Sequence, residues 1–230
     1  MCGRVTQVLN NEDLKQFFSV TNDLDAELSV PRYNVAPTTR ICIVADENGE
    51  RRTKVMRWGL IPANVRDLST FTFATFNARD DKILQSPMYG PLFRTRRCIS
   101  VVNGYYEWKK TSPKEKQPYY FKTRKAPVMG LAALWDRTTL NDGTILESCS
   151  IITTVPNEVT IEYHDRMPVI LMPSQYNAWL DPRTPEKELL AMLKPCPPDF
   201  LDIYMVDRAV GNTRNDSPNL LNQVETDMLF

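Results

Sequence analysis

The stretch Arg-Cys-Ile-Ser-Val-Val-Asn-Gly-Tyr-Tyr-Glu-Trp-Lys, residues 97–109, indicates how this chain folds. Its two halves are rich in β-branched and aromatic side chains, which favours strands at 97–102 and 105–109. Similar short runs on either side predict further strands at 41–45, 53–58, 119–123, 128–136, 146–154 and 203–206. Strands therefore dominate the middle of the chain, with few helices between them. This order predicts an α+β fold with a mainly antiparallel, barrel-like β core.

Short helices are predicted around this core, at 11–18, 77–84, 174–180 and 186–193. Asn10 or Asn11 can cap the first of them with its side chain. The 230 residues contain no internal repeat, linker or low-complexity tract, so we expect one domain over residues 1–230. A polar tail from about residue 216 is expected to be loosely ordered.

The composition argues against several classes of protein. The longest apolar run, Val128–Trp135, is too short to span a bilayer. Residues 1–7 contain no apolar signal region, and the five cysteines are scattered without a CxxC pair, so we expect a reduced, cytoplasmic protein of bacterial type. A single histidine among such cysteines argues against a zinc site. No glycine-rich phosphate loop occurs, and we predict neither a metal nor a cofactor.

The charges are unevenly distributed along the chain. It carries 28 Lys and Arg against 28 Asp and Glu, but residues 51–125 hold 17 basic and 5 acidic side chains. The flanking segments are correspondingly acidic. The basic residues are either solvated strand edges and loops, or a surface that binds phosphates. The charge pattern alone leaves both interpretations open.

Cys2 is a candidate nucleophile, because cells commonly remove an initiator Met when the next side chain is small. The mature chain would then begin with a residue that carries both an α-amine and a thiol. An amine condenses with an aldehyde to an imine, and the neighbouring thiol can then close a five-membered thiazolidine ring. An internal cysteine offers only the thiol. Alternatively, Met1 is retained and Cys2 is a chance cysteine.

Glu107 and His164 are the candidate proton carriers. In a regular strand Glu107 shares a face with Tyr105, and a carboxyl group among aromatic rings has a raised pKa because it is desolvated. The alternative is an exposed Glu107 that pairs with Lys109. His164 is the only histidine, and its titration range suits a general acid or base. It can equally be a hydrogen-bonded structural residue.

Further side chains are candidates for binding a ligand. Asn77 and Arg79 offer an amide and a guanidinium together, or else a helix cap and a solvated arginine. Arg166 is suited to a phosphate contact or to an ordinary surface ion pair. Trp58 and Trp108 are either core residues or surfaces on which an unpaired base stacks.

Six segments of the chain, taken in order, resemble the SRAP family of SOS response-associated peptidases, or abasic-site-processing proteins. They are Met1–Arg4, Tyr33–Pro37, Arg57–Pro62, Asn77–Arg79, Gly104–Trp108 and His164–Pro168. Each is weak alone, but together they run in the family's order from residue 1 to about 215. The resemblance implies a single-domain, β-rich fold with a basic groove that binds single-stranded DNA containing abasic sites.

The resemblance also implies a chemistry. The Cys2 amine would attack the C1′ aldehyde of the ring-opened abasic sugar, and the Cys2 thiol would then form a stable thiazolidine crosslink that protects the lesion. His164 would promote opening of the sugar ring. Glu107 would orient the amine and relay a proton, while Asn77 would hold the sugar or the N-terminal residue.

The same resemblance implies a set of DNA contacts. The DNA-binding residues would be Arg4, Asn34, Trp58, Arg79, Trp108 and Arg166. The arginines would bind phosphates, and Trp108 would pack on a base near the lesion. The protein is expected to act as a monomer in the cytoplasm, on the nucleoid when DNA is bound. The peptidase name would then refer mainly to the removal of Met1.

Two other classes of function stay open at this point. One is a thiol or N-terminal-nucleophile peptidase that acts on proteins, with Cys2 activated by His164 or Glu107. The other is a non-covalent single-strand-binding module in which Cys2 has no role. The chain also departs from the family, because Asp80 and Asp81 stand where a Glu usually follows Asn-Ala-Arg.

Overall fold

The structure, a computed structural model, describes residues 2–224 as an assembly of short strands with helices at the periphery. The strands are β1 (Val5–Gln7), β2 (Arg32–Val35), β3 (Arg40–Glu47), β4 (Glu50–Trp58), β5 (Asn77–Arg79), β6 (Arg97–Val102), β7 (Gly104–Lys110), β8 (Lys116–Thr123), β9 (Met129–Thr139), β10 (Ile145–Thr154), β11 (Met167–Pro168), β12 (Ile170–Leu171) and β13 (Leu201–Met205). The α-helices are α1 (Asn11–Phe18), α2 (Tyr89–Thr95), α3 (Tyr176–Leu180) and α4 (Glu186–Met192).

Five of the strands close into a barrel. Their order is β10-β4-β3-β6-β9, and β9 pairs again with β10. Neighbours in this ring are antiparallel except β10 and β4, which pair in parallel with Cys149 opposite Trp58. β5 and β11 attach to β10, and β12 attaches to β9. The predicted α+β fold with a mainly antiparallel barrel is therefore confirmed.

A second sheet has the order β13-β8-β7-β1-β2, and β7 links it to the barrel core. Tyr105 of β7 belongs to the same buried cluster as the barrel residue Trp58. Tyr106, the next residue, belongs to a different cluster together with Tyr120 and Val206. Adjacent side chains of β7 thus point to opposite faces, as the period of a strand predicts.

The same alternation gives the barrel wall two apolar sides. In β3, Ile41 and Ile43 join the cluster that contains Trp58. Cys42 and Val44 join the cluster formed with the helices. Helix α1 begins as predicted, because the Asn10 side chain accepts a hydrogen bond from the Asp13 amide at 2.8 Å. The helices therefore pack against one set of barrel side chains, and Tyr105 and Phe121 of the second sheet pack with the other set.

The helix predicted at 77–84 is wrong. Residues Asn77–Arg79 form β5, which pairs in parallel with β10, and a 3₁₀ turn follows at Asp80–Lys82. The sequence of this segment suits a helix cap, but the exposed edge of β10 takes up its backbone hydrogen bonds. Pairing with a distant strand therefore overrides the local preference.

The predicted loose tail is packed as far as residue 224. A 3₁₀ turn at Pro218–Leu221 buries Leu220, and Gln223 bridges to Val206. Leu220 therefore anchors a segment whose composition is otherwise polar. The rest of the predicted tail, residues 225–230, lies outside the described residues. Between residues 2 and 224 the structure shows no helix with the length and apolar character needed to cross a bilayer.

Candidate active site

The N-terminal strand β1 lies inside the second sheet, between β7 and β2. It pairs with β7 in antiparallel register, and the Tyr106 amide donates a hydrogen bond to the Arg4 carbonyl at 2.9 Å. Because the two strands run in opposite directions, the chain before Arg4 runs beside the chain after Tyr106. The backbone therefore brings Cys2 next to Glu107.

Cys2 and Glu107 form a buried pair of titratable groups. Cys2 is fully buried and Glu107 is 4% exposed. Burial raises the pKa of the Cys2 thiol, and the negative charge of Glu107 raises it further. Burial also raises the pKa of Glu107 to about 7, as predicted for a carboxyl group among aromatic rings. The thiol is therefore protonated at neutral pH, where Glu107 can both accept and release a proton.

The alternative of an exposed Glu107 paired with Lys109 does not hold. The Lys109 ammonium lies 3.1 Å from a carboxylate oxygen of Glu162 and 5.2 Å from the centre of the Tyr163 ring. Lys109 is therefore neutralised by a different carboxylate, and Glu107 stays inside the protein.

His164 follows the 3₁₀ turn Thr160–Glu162, with 31% of its side chain exposed. Its Nδ1 accepts a hydrogen bond from the Arg166 amide at 3.0 Å and lies 2.8 Å from a carboxylate oxygen of Asp165. The first contact requires Nδ1 without a hydrogen and the second requires an Nδ1–H group, so the two contacts correspond to the two protonation states of this nitrogen. Burial lowers the pKa of His164, which favours the neutral form at pH 7.

A cleft of about 740 Å³ lies beside this group. Four of the predicted site residues line it, namely Arg79, Trp108, His164 and Arg166. Its other lining residues are Lys110, Lys116, Thr153, Ile161, Glu162, Tyr163 and Asp165. Asp165 and Lys116 line the cleft and are among the charges that act on Glu107, so the cleft lies near the buried Cys2–Glu107 pair.

The two arginines of the cleft are held by the aspartates that follow Arg79. Arg79 is exposed and binds Asp81 through two hydrogen bonds of 2.9 and 2.7 Å. Arg166 is 7% exposed, and its guanidinium lies 2.5 Å from a carboxylate oxygen of Asp80. Arg166 also donates to the Thr153 carbonyl. Both arginines are therefore paired with a carboxylate, Arg79 at the surface and Arg166 inside the protein.

Arg4 and Asn34 do not line the cleft. The Arg4 guanidinium donates to Asn34 Oδ1 at 2.6 Å and to the Val210 carbonyl at 2.7 Å. The Asn34 amide donates to the carbonyls of Val210, Asn212 and Asn215. These contacts tie the N-terminal strand and β2 to the C-terminal segment. Arg4 also lies 5.6 Å from the centre of a Trp108 ring, which connects this network to the cleft wall.

Trp58 and Asn77 meet at the junction of the barrel and β5. Trp58 is fully buried, and its Nε1 donates to the Phe76 carbonyl at 2.9 Å. The Asn77 amide nitrogen donates to the same carbonyl at 3.1 Å. The Oδ1 atom of Asn77 is buried and has no hydrogen-bond partner among residues 2–224. Trp58 is therefore placed in the core, whereas Asn77 offers an acceptor that no group of residues 2–224 uses.

The sequence interpretation did not single out Lys110 and Lys116, which line the cleft on β7 and β8. They are exposed and directly opposite each other in the β7–β8 ladder. Neither makes an ion pair within residues 2–224, whereas Lys54 and Arg94 pair with Glu147 and Glu186 of the acidic flanks. The run of lysines is visible in the sequence, but only the fold shows which of them keep an uncompensated charge.

No group of three or more His, Cys, Asp or Glu side chains is arranged to hold a metal ion in the part of the chain that the structure describes. All five cysteines are buried and present as free thiols.

Comparison with known proteins identifies the relatives of this chain. Residues 1–213 match the family described as SOS response associated peptidase (SRAP). The chain belongs to the SRAP family. It is 33% identical over 222 residues to the abasic site processing protein YoqW of Bacillus subtilis (strain 168), which covers 96% of this chain and 99% of the relative. It is 32% identical to the abasic site processing protein YoaM of the same strain, over 96% of this chain and 97% of the relative.

The SRAP fold of this chain also matches a solved structure. A crystal structure of a protein from Bacteroides thetaiotaomicron superimposes with a TM-score of 0.87 at 26% identity, covering 97% of this chain and 100% of the other. The fold of this chain is therefore shared with that protein along nearly its whole length.

Proposed function

We propose that this protein processes abasic sites in single-stranded DNA by forming a covalent crosslink through Cys2 after Met1 has been removed. The observation that carries the proposal is the buried pairing of Cys2 with Glu107, beside a cationic cleft that also contains His164. The lesion follows from the relatives, because YoqW and YoaM are named abasic site processing proteins.

The reaction starts at the sugar. His164, neutral at pH 7, accepts the proton of the C1′ hydroxyl and passes it to the ring oxygen as the C1′–O bond breaks, which gives the aldehyde. The α-amine of Cys2 adds to C1′, and loss of water leaves an imine. The thiol then adds to the imine carbon: the S–H proton passes to Glu107, sulfur bonds to C1′, and the imine nitrogen takes up a proton. The product is a thiazolidine, and no oxidant or reductant is needed.

Glu107 suits both proton transfers because of its burial. A carboxyl group with a pKa of about 7 is present in both protonation states at neutral pH. It can therefore accept the thiol proton and return a proton to the nitrogen. Asn77 supports the same step, because its buried Oδ1 is available to accept a hydrogen bond from the sugar or from the Cys2 amine.

The cleft supplies the contacts that a single strand requires. Arg79, Lys110 and Lys116 are exposed cations on its wall, and phosphates bind such groups with release of counterions. Trp108 lines the same wall and offers a ring face on which a base can stack. Arg166, held by Asp80, presents a fixed guanidinium at the edge of the cleft.

The remaining predicted DNA contacts support the site indirectly. We propose that Arg4 and Asn34 hold the N-terminal strand in place, and that Trp58 fixes β5 against the barrel. One chain contributes all the groups used in the reaction, which is compatible with a monomer. The cytoplasmic location and the association with the nucleoid stay predictions from the sequence.

The test is incubation of the purified protein with single-stranded DNA that contains one abasic site, followed by a denaturing gel. We expect a heat-stable shifted band, lost in Cys2→Ser. Serine keeps the α-amine, so borohydride should still trap an imine in this variant. Cys196→Ser is the matched control, because Cys196 is also buried in the cluster that contains Cys2. Intact mass of the wild type should show a chain without Met1.

Three results would contradict the proposal. A shifted band that survives in Cys2→Ser would assign the crosslink to another residue. Cleavage of an unrelated peptide that is abolished by Cys2→Ser would favour the peptidase. Binding that is sensitive to salt but indifferent to the lesion, with no covalent product, would leave a non-covalent single-strand-binding module.

A further inference from the structure

The hydroxyl group of Tyr105 is buried without a hydrogen-bond partner in residues 2–224. The residue is 1% exposed and lies in β7, two positions before Glu107 on the same face of the strand. A buried hydroxyl that makes no hydrogen bond lowers the stability of a protein, because it has lost its contacts with water. Nearly all such groups in folded proteins are paired, so this exception calls for an explanation.

The surroundings of Tyr105 connect it to the reactive cysteine. Its ring stacks on Phe121 with centroids 4.7 Å apart, and Phe121 in turn contacts Tyr163 of the cleft wall at 5.2 Å. Tyr105 and Cys2 belong to the same buried cluster. The packed ring fixes the position of the hydroxyl, since a stacked side chain inside the core cannot turn out to solvent.

The hydroxyl is a donor at any physiological pH. Burial raises the pKa of Tyr105 well above its ordinary value, and the neighbouring Cys196, Cys2 and Glu107 raise it further. Cys2 and Glu107 therefore lie within electrostatic range of the Tyr105 side chain. A fixed O–H group without an acceptor among residues 2–224 thus lies in the same buried cluster as the Cys2 thiol and on the same strand face as Glu107.

We propose that Tyr105 is a positioning residue for Cys2, whose sulfur accepts a hydrogen bond from the Tyr105 hydroxyl while the thiazolidine ring closes. The inference rests on the proposed function and deepens it. During closure the S–H bond breaks and its proton passes to Glu107, while a sulfur electron pair forms the S–C1′ bond. The π electrons of the imine move to nitrogen, which takes up a proton.

The step needs such a donor because the sulfur gains negative charge in an apolar environment. Burial of Cys2 opposes the loss of the thiol proton, as its raised pKa shows. A hydrogen bond from a neutral hydroxyl compensates part of this charge without adding a cation to the core. Among residues 2–224 of the resting protein the donor has no acceptor, so the stabilisation is realised only as the reaction proceeds.

The test is Tyr105→Phe in the full chain, since this change removes one oxygen and keeps the ring. We expect the Tm to rise by about 2–4 °C, because an unpaired buried hydroxyl is removed. We also expect closure of the ring to slow by about tenfold, the effect of losing one hydrogen bond to a charged group. The intermediate imine, trapped by borohydride in a single-turnover experiment, should accumulate in the variant.

Tyr106→Phe is the matched control at the next position of β7. The Tyr106 hydroxyl donates to the Tyr33 carbonyl at 2.9 Å, so its removal should lower the Tm and leave ring closure at the wild-type rate. A Tyr105→Phe variant that closes the ring at the wild-type rate would overturn the inference. So would a lower Tm in Tyr105→Phe, because the hydroxyl would then have a structural partner. A wild type that forms neither imine nor stable adduct would instead overturn the proposed function, and this inference with it.

Discussion

Burial of Glu107 couples the stability of the protein to pH. Burial raises the pKa of this carboxyl group from 4.5 to about 7, so the folded state binds its proton more tightly than the unfolded state does. The resulting stabilisation is fully present below pH 4.5 and is lost as the pH rises through about 7. His164 acts in the opposite sense, because burial lowers its pKa and protonation then costs stability at acid pH.

We predict that Glu107→Gln removes the part of this pH dependence that Glu107 causes. We consider the free energy of unfolding of the wild type minus that of Glu107→Gln. This difference should fall by up to about 3 kcal/mol between about pH 5 and about pH 8. Urea unfolding at a series of pH values measures the difference, and the contribution of His164 cancels in it. Glu162→Gln, a change at a carboxylate with 62% of its side chain exposed, should leave the slope unchanged. Equal slopes for wild type and Glu107→Gln would contradict a raised pKa.

At the scale of secondary structure, the hairpin of β7 and β8 carries two opposed lysines. Lys110 and Lys116 are direct partners in the ladder, where like charges repel each other. A hairpin built for stability alone would place opposite charges there. The repulsion is relieved when an anion binds between the two ammonium groups, which fits the phosphate contacts proposed for this wall of the cleft.

We predict that Lys116→Gln weakens binding of single-stranded DNA and slightly raises the Tm. Loss of one phosphate contact should reduce the slope of log affinity against log salt by about 0.7, which is about fivefold in affinity at about 0.1 M salt. Fluorescence anisotropy measures the affinity and its salt slope with a short oligonucleotide that carries a tetrahydrofuran analogue of the abasic site. This analogue cannot crosslink, so only reversible binding is observed.

Lys114→Gln is the control for the hairpin. Lys114 has the same charge and lies on the same hairpin, but it does not line the cleft. Its replacement should leave the salt slope close to that of the wild type. Equal losses in both variants would mean that only the overall charge of the hairpin matters.

At the scale of the whole molecule, closure of the barrel depends on the short parallel contact between β10 and β4. Trp58 lies at this contact, opposite Cys149, and its indole also holds the chain that leads into β5. Trp108, in contrast, is a partly buried residue of the cleft wall. The sequence gives Trp58 and Trp108 the same two interpretations, but the structure places them in different environments.

We predict that replacing Trp58 mainly affects stability, whereas replacing Trp108 mainly affects DNA binding. Trp58→Leu should lower the free energy of unfolding by about 3 kcal/mol or more and leave the DNA affinity of the folded fraction unchanged. Trp108→Leu should weaken DNA binding by about fivefold or more, as expected for the loss of one stacked base, with a smaller loss of stability. Urea unfolding measures the change in stability, and anisotropy with the same oligonucleotide measures the change in DNA affinity. Weak binding by folded Trp58→Leu would restore Trp58 as a direct DNA contact.

Local signals in the sequence predicted part of the fold. Helix α1 and strand β6 have the predicted bounds, because the Asn10 cap and the β-branched run at 97–102 act within a few residues. The short strands β1, β2 and β5 were not predicted. Three or four residues carry too little periodicity, and such strands exist only because a distant strand offers an edge.

The features of the candidate site were likewise predicted only where the signal is local in the sequence. The raised pKa of Glu107 was predicted correctly, because the aromatic neighbours that bury it are adjacent in the same strand. The compensation of Arg166 by Asp80 joins residues 86 positions apart, and no local pattern predicts it. The missing hydrogen bond of the Tyr105 hydroxyl is even harder to predict from the sequence, since every polar group of residues 2–224 has to be placed before a missing partner can be recognised.

The buried state of Cys2 also bears on damage to the protein itself. Peroxides oxidise thiolates that are exposed to solvent, and they attack protonated, enclosed thiols far more slowly. Cys2 is fully buried, and burial raises its pKa, so it is protected on both counts. The resting protein should therefore resist conversion of its reactive sulfur to sulfenic acid and enter an oxidative challenge with that sulfur still reduced.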